Sequence, residues 1–312
     1  MPGLSRGSGS SVMLGVTASP GREGDRVTDY RTPAPAPAPT PGRVAPARGL
    51  VALAAAMVVL GAGSVAALYV LFVRTHIGQR FDQAALLRID TNPERTRDIV
   101  GVLSNLTIGV ILAVLAVCMV VSLLRGRLAY AIAAAVLVAG ANVTTQLLKH
   151  GLLTRPDLGY YTNNSLPSGH TTVAVSLALA LLLVAPRFSR GVLVLAGSVA
   201  ATVVGVGVVV TGWHRPSDVL ASVGVCLAWA GMVSLWLLLR GSETPASARE
   251  PGGHPGLALA GAVVAVALAF GYGVRPDGTW PDLVVHGCTV SAIGLGTALC
   301  LALTSRVVPL DV

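Results

Sequence analysis

Eight apolar stretches run through this chain, at about 49–73, 102–124, 128–148, 170–186, 191–212, 217–239, 256–274 and 283–304. A helix needs roughly 20 apolar residues to cross the hydrocarbon core of a bilayer. Only helices and closed barrels satisfy every backbone group there. The sequence therefore predicts an all-α fold, a polytopic membrane helical bundle of about eight transmembrane helices. Composition points the same way, with 53% of residues hydrophobic and 12% charged, where a soluble domain carries roughly 25% charged residues. The formal net charge of +8 is no sign of a nucleic-acid partner, because most arginines flank apolar runs or sit in the first 48 residues. Cys118, Cys226, Cys288 and Cys300 each fall inside an apolar run and read as small buried hydrophobes.

Between the runs the chain divides by composition. Residues 1–47 are rich in Gly, Ser, Pro and Arg and read as a disordered tail. Residues 48–240 hold six spans, 241–255 form a Gly/Pro/Ser linker, and 256–312 carry two additional helices and a short tail. Within 74–101, Gln79-Arg80-Phe81-Asp82 opens a predicted interfacial helix. Arg125, Arg127, Arg187, Arg190, Arg240, Arg249 and Arg306 fall in alternate loops, which puts both termini in the cytoplasm. The loops at 150–169 and 213–216 are then extracytoplasmic, in a multi-pass protein of the cell membrane.

Those two loops hold the polar residues that do not fit a plain bundle. Charged groups at span ends are costly and point to function. Pro167-Ser168-Gly169-His170 stands immediately before an apolar helix. Free N–H groups at a helix start bind anions, Gly169 lets a ligand approach the backbone, Ser168 adds a hydroxyl, and His170 donates a proton near neutral pH. Lys149 and Arg155-Pro156 lie just after the third span. Arginine offers phosphate a planar fork and lysine a point charge. His214-Arg215-Pro216-Ser217-Asp218 joins the fifth and sixth spans. A carboxylate four residues after a histidine can fix the imidazole tautomer and raise its basicity. Each segment alone fits a bland reading: a loop-to-helix turn, snorkelling cations, a capping aspartate. Three of them on one membrane face fit a single phosphate better.

Together, Lys149…Arg155-Pro156, Pro167-Ser168-Gly169-His170 and His214-x-x-x-Asp218 resemble the three-part signature of the type-2 phosphatidic acid phosphatase superfamily, over roughly residues 50–240. The resemblance implies a membrane phosphatase that hydrolyses a lipid phosphate or diphosphate without a metal or other cofactor. Polyprenyl diphosphate, phosphatidate and phosphatidylglycerol phosphate are the implied substrates, held in the outer leaflet. In the implied mechanism His214 attacks phosphorus to give a phosphohistidine, Asp218 orients it, and His170 protonates the leaving oxygen. Lys149, Arg155, Ser168 and the Gly169 N–H hold the phosphoryl oxygens.

Two departures stand out. Five residues separate Lys149 from Arg155-Pro156 where the family has six, and Gly207 and Val208 occupy the positions of a Ser-Arg pair. Arg215 is the candidate to replace that arginine from the aqueous side. If the fifth span stays helical to His214, position 208 lies about 9 Å below it. The departures leave a second reading, a non-catalytic member that binds lipid phosphate. A transporter fits less well, since the spans are almost uncharged internally. His76, His150, His254 and His286 have no partner at a telling spacing, although His150 adjoins Lys149. Asp157, Asn163 and Asn164 either line a head-group pocket or simply keep the loop polar. The last two spans are candidates for covering the core or for joining two copies in a homodimer.

Overall fold

Long runs of Ala, Leu and Val without internal proline give the chain its helices. A computed structural model describes residues 48–87, 89–90, 93–105, 108–160, 163–240, 253–272, 275–276 and 280–308. The expected N-terminal tail and most of the expected linker lie outside these residues. Ten helices follow in order: α1 (Arg48–Leu68), α2 (His76–Leu87), α3 (Pro93–Ser104), α4 (Ile108–Leu124), α5 (Leu128–Leu147), α6 (Gly169–Val184), α7 (Arg187–Val210), α8 (Pro216–Leu239), α9 (Pro255–Gly271) and α10 (Trp280–Val307). α1 and α5 continue into π-helical turns, Tyr69–Val73 and Leu148–Leu152. The only strand pairing among the described residues is a two-residue antiparallel contact, Ile89–Asp90 with Arg275–Pro276.

The fold is a polytopic helical bundle. Each of the eight apolar stretches corresponds to helix, but they are not eight equal spans. Five helices are long and apolar enough to cross a membrane: Arg48–Val73, Leu128–Leu152, Arg187–Val210, Pro216–Leu239 and Asp282–Val307. The second stretch is broken. α3 and α4 meet at a 49° bend, so the pair is either one broken span, which would be a sixth, or a re-entrant segment. α6 and α9 are apolar but only 16 and 17 residues long. α6 is short because Ser168 caps it at one end and Ala185-Pro186 ends it at the other.

Successive spans alternate in direction. The C-terminal ends of α1, α5 and α7 and the N-terminal ends of α6 and α8 therefore gather at one end of the bundle. At the opposite end sit Arg125, which donates to the carbonyl of Val184, and Arg190, which donates to that of Val308. α9 and α10 pack on α7, and α10 also reaches α8.

Hydrophobic burial gives helices no preference for each other over lipid tails, so close packing and interhelical hydrogen bonds hold such bundles. Both are present. Thr145 and Thr172 link α5 to α6 at 2.9 Å, Thr202 and Thr297 link α7 to α10 at 2.6 Å, and Ser198 donates to the carbonyl of Ala258 on α9. α1 and α8 approach most closely at glycine. A Cβ on Gly61 would lie 2.5 Å from the backbone of Ala228 and Gly224, and one on Gly231 would lie 2.7 Å from the Ala54 carbonyl. Three of the four cysteines are buried; Cys288 is exposed, because it lies on the outer face of α10 rather than in a core.

Gly63, on the same helix as Gly61, has open space where a Cβ would go. Gly61→Ala should therefore destabilise the protein by about 1–3 kcal/mol through overpacking. Gly63→Ala should be neutral or slightly stabilising, since alanine is the better helix former. Thermal unfolding of the two variants in detergent compares them directly.

Candidate phosphate site at the motif end of the bundle

The turn between α7 and α8 sets the position of His214. α7 ends at Val210, not at His214. Gly212 takes φ +74°, a left-handed conformation that glycine adopts without strain. The Trp213 N–H then bonds the Val208 carbonyl at 3.1 Å, and the Gly212 N–H bonds that of Val209 at 3.0 Å. This is a Schellman C-cap. The His214 N–H also bonds the Val208 carbonyl, at 3.0 Å. The chain thus folds back over the helix end instead of rising along its axis, which corrects the expectation of a straight helix below His214. The Val208 side chain is fully buried in an apolar cluster with Leu103, Val219 and Ile293.

Pro216 opens α8 at its first position, where a missing N–H costs nothing. Asp218 is the third residue of that helix and has no exposed surface. Its Oδ2 accepts from Ser165 Oγ at 2.6 Å, from the Arg215 N–H at 2.9 Å, and faces His214 Nδ1 at 3.3 Å. The bond from Arg215 is half of a capping box. Asp218 thus caps α8 and orients His214 with the same oxygen. With Nδ1 turned to the carboxylate, Nε2 of His214 is left to face a ligand.

Ser168 is the N-cap of α6 and is also fully buried. Its hydroxyl accepts from Thr171, and its N–H donates to the Asp218 carbonyl at 3.0 Å. Ser222 donates to the carbonyls of both Ser168 and Asp218. The starts of α6 and α8 are therefore locked together. The N–H groups of Gly169 and His170 lie in the first turn of α6, where no intrahelical acceptor exists. His170 is half-buried, with its ring 5.3 Å from that of Trp213, and it lies within electrostatic reach of His214 and Lys149.

Lys149 sits on the π-helical turn that ends α5, half-buried. Such turns are frequent at functional sites. Arg155 is 7% exposed, and all three nitrogens of its guanidinium are buried without a hydrogen-bond partner among the described residues. Burial and the neighbouring Arg215 lower its pKa, while Asp82 and Asp218 act in the opposite direction. Buried donors are almost always paired in folded proteins, so this guanidinium is suited to an anionic ligand.

Arg215 is not on the aqueous surface as expected but buried, at 5% exposure, because α2 covers it. It donates to Ser165 Oγ at 3.0 Å and to Gln83 Oε1 at 3.4 Å. Asn164 spends its amide on the carbonyls of Lys149, Leu153 and Leu166, so it builds the loop. Asp157 makes a local turn with Gly159, and Asn163 is exposed. His150 is exposed beside Gln146 in a shallow groove along α5. His76 rests against Tyr160, His254 precedes α9, and His286 is buried in α10 with neither ring nitrogen bonded among the described residues.

The sequence reading gave no site role to Ser165, to Ser217 within the third segment, or to Gln79, Asp82 and Gln83 on α2, all of which contact the site. Ser217 donates its N–H and its hydroxyl to Asp82. The available signal was the spacing on α2: three polar residues at i, i+3 and i+4 form one helix face.

Comparison with known families covers the same part of the chain. Residues 126–242, from just before α5 to just past α8, match the family model described as the PAP2 superfamily. No curated protein and no solved structure matches the chain. The matched region contains all three motif segments; across those residues the chain is similar to the PAP2 superfamily, which implies phosphatase-type activity on phosphate esters, and its long apolar helices fit a multi-pass membrane protein.

Proposed function

We propose that the protein hydrolyses a lipid phosphate or diphosphate through a phosphohistidine. The observation that carries this reading is the unpartnered, buried guanidinium of Arg155 beside the His214–Asp218 pair. A tetrahedral phosphoryl group with several oxygens fits Arg155, Lys149 and the free N–H groups of Gly169 and His170 together. Such fixed donors stabilise the charge of the transition state.

The geometry supports the following steps. The lone pair on His214 Nε2 attacks phosphorus, and the bond to the leaving oxygen breaks. That oxygen takes a proton from His170. Water then attacks phosphorus and gives a proton to His170, the phosphorus–nitrogen bond breaks with its electron pair returning to Nε2, and phosphate leaves with His214 restored. Asp218 supports the positive charge that forms on His214. The substrate is a lipid, because the site lies at the ends of membrane-spanning helices and its phosphate would rise from tails between them. The arginines gathered at the opposite end favour a cytoplasmic position for that end, which supports an outer-leaflet site. Outward placement favours a polyprenyl diphosphate over phosphatidate or phosphatidylglycerol phosphate.

A binding-only role finds its support in Val208, which stands where the resemblance expects a phosphate-binding arginine, and in the bonds that hold Arg215 to Ser165 and Gln83. Phosphate release from a panel of lipid phosphates by the purified protein separates the two readings. His214→Ala should lower kcat by at least about a thousandfold, and Asp218→Asn by about a hundredfold. Near-wild-type release by His214→Ala would sink the mechanism. Arg155→Ala should lower kcat/KM by about tenfold or more, a loss of about 1.4 kcal/mol of transition-state stabilisation. Arg215→Ala should cost as much or less, because part of its hydrogen bonding is spent within the protein.

Activity should persist in excess EDTA; loss that magnesium restores would show a metal-dependent reaction instead. In a cysteine-free background, a cysteine at Asn163 should react with an impermeant maleimide in intact cells, and one at Arg187 should not. The reverse labelling would invert the orientation.

A further inference from the structure

α2 lies outside the matched region 126–242 and carries none of the motif residues. Its amphipathic character is inverted. Ile77 and Phe81 face outward, 69% and 58% exposed, while Gln79, Asp82 and Gln83 face inward and are buried. Polar groups at helical spacing on the protein-facing side are costly unless each has a partner. Here each meets a different part of the site. Gln79 Nε2 donates to the Pro156 carbonyl at 3.1 Å, next to Arg155, and to that of Val73 at 2.8 Å. Asp82 accepts both donors of Ser217, in the first turn of α8. Gln83 accepts from Arg215. One helix therefore ties the Arg155 loop to the α7–α8 turn. Apolar residues would serve if α2 only had to pack.

We propose that Asp82 is a positioning residue of the phosphate site: through Ser217 it holds the first turn of α8, with His214 and Arg215, in register with Arg155, and its charge opposes the bound anion. This rests on reading the site as one for phosphate. The groups facing Asp82 are Asp218 and Arg215 from the start of α8 and Arg155 from the loop after α5. Its own helix faces the site with the neutral Gln79 and Gln83, and α10, which also packs on α2, carries Asp282 and His286 in its first two turns. Burial and then the charge of Asp218 push the Asp82 carboxyl up to about 7, against the hydrogen bonds from Ser217 and the pull of Arg215. Below that pH Asp82 is neutral and the cationic site holds an anion more tightly; above it the carboxylate weakens the anion's hold.

The test uses the purified full chain and sulfate, which stays dianionic between pH 6 and 8. Binding is followed by tryptophan fluorescence, independent of any lipid substrate. Asp82→Asn keeps an acceptor for Ser217 but carries no charge. It should bind sulfate like wild type at pH 6 and about tenfold more tightly than wild type at pH 8. Asp82→Ala loses the Ser217 contacts, so its kcat should fall about tenfold at both pH values with little change in KM, and Asp82→Asn should recover most of that loss. A ratio of sulfate affinities that does not change with pH, or an Asp82→Ala enzyme with wild-type kcat, overturns the proposal. So does unfolding of both variants, which would make Asp82 a packing residue only. His214→Ala is the control: if it still releases phosphate the catalytic reading fails, while the sulfate measurement still judges Asp82.

Discussion

A carboxylate with no contact with solvent sits at the centre of this structure. Asp218 can remain ionised there only if donors surround it. They come from three places: Ser165 in the loop before α6, the Arg215 backbone at the start of α8, and His214 in the turn after α7. Its backbone carbonyl draws in Ser168 and Ser222 as well. The motif segments, far apart in sequence, are therefore neighbours because one buried charge requires them to be. Removing the charge would release several elements at once.

Electrostatics explains the composition of the rest of the site. Arg155 and Arg215 lie within each other's field, and each would destabilise the other without Asp82 and Asp218 nearby. The four groups make a balanced set to which Arg155 contributes an unbonded fork. The proposed phosphoryl group would meet that fork, not a cation already neutralised by a salt bridge. Arg215 is different, being held by Ser165 and Gln83, and in the proposed site it would contribute charge more than direct contact.

Much of this was legible in the sequence. Runs of apolar residues located every long helix, because the bilayer fixes how long such a run must be. Proline and glycine marked the starts of α6 and α8 because backbone geometry allows little else there. The motif residues came together as their order implied, although spacing alone could not show which would stay unpaired. The break between α3 and α4 was hidden, since apolar residues continue on both sides of it. The backward fold at Gly212 was also missed: a glycine beside a tryptophan does not announce a Schellman cap. α2 was seen as an interfacial helix, but the direction of its polar face was not. Hydrophobic pattern normally sends polar residues outward, and here a neighbouring charged site reverses the rule.

The glycine contacts between α1 and α8 have a bearing on chemistry as well as on packing. α1 leads through its π-helical turn directly into α2, which holds Asp82, while α8 begins with Ser217. Where backbone meets backbone without side chains between, the two helices can slide little along each other. A slip of one turn, about 5.4 Å, would carry Asp82 past Ser217 and part the two halves of the site. The seam thus works as a ruler laid along the bundle, and the height at which the candidate site stands along it is read from where those glycines touch.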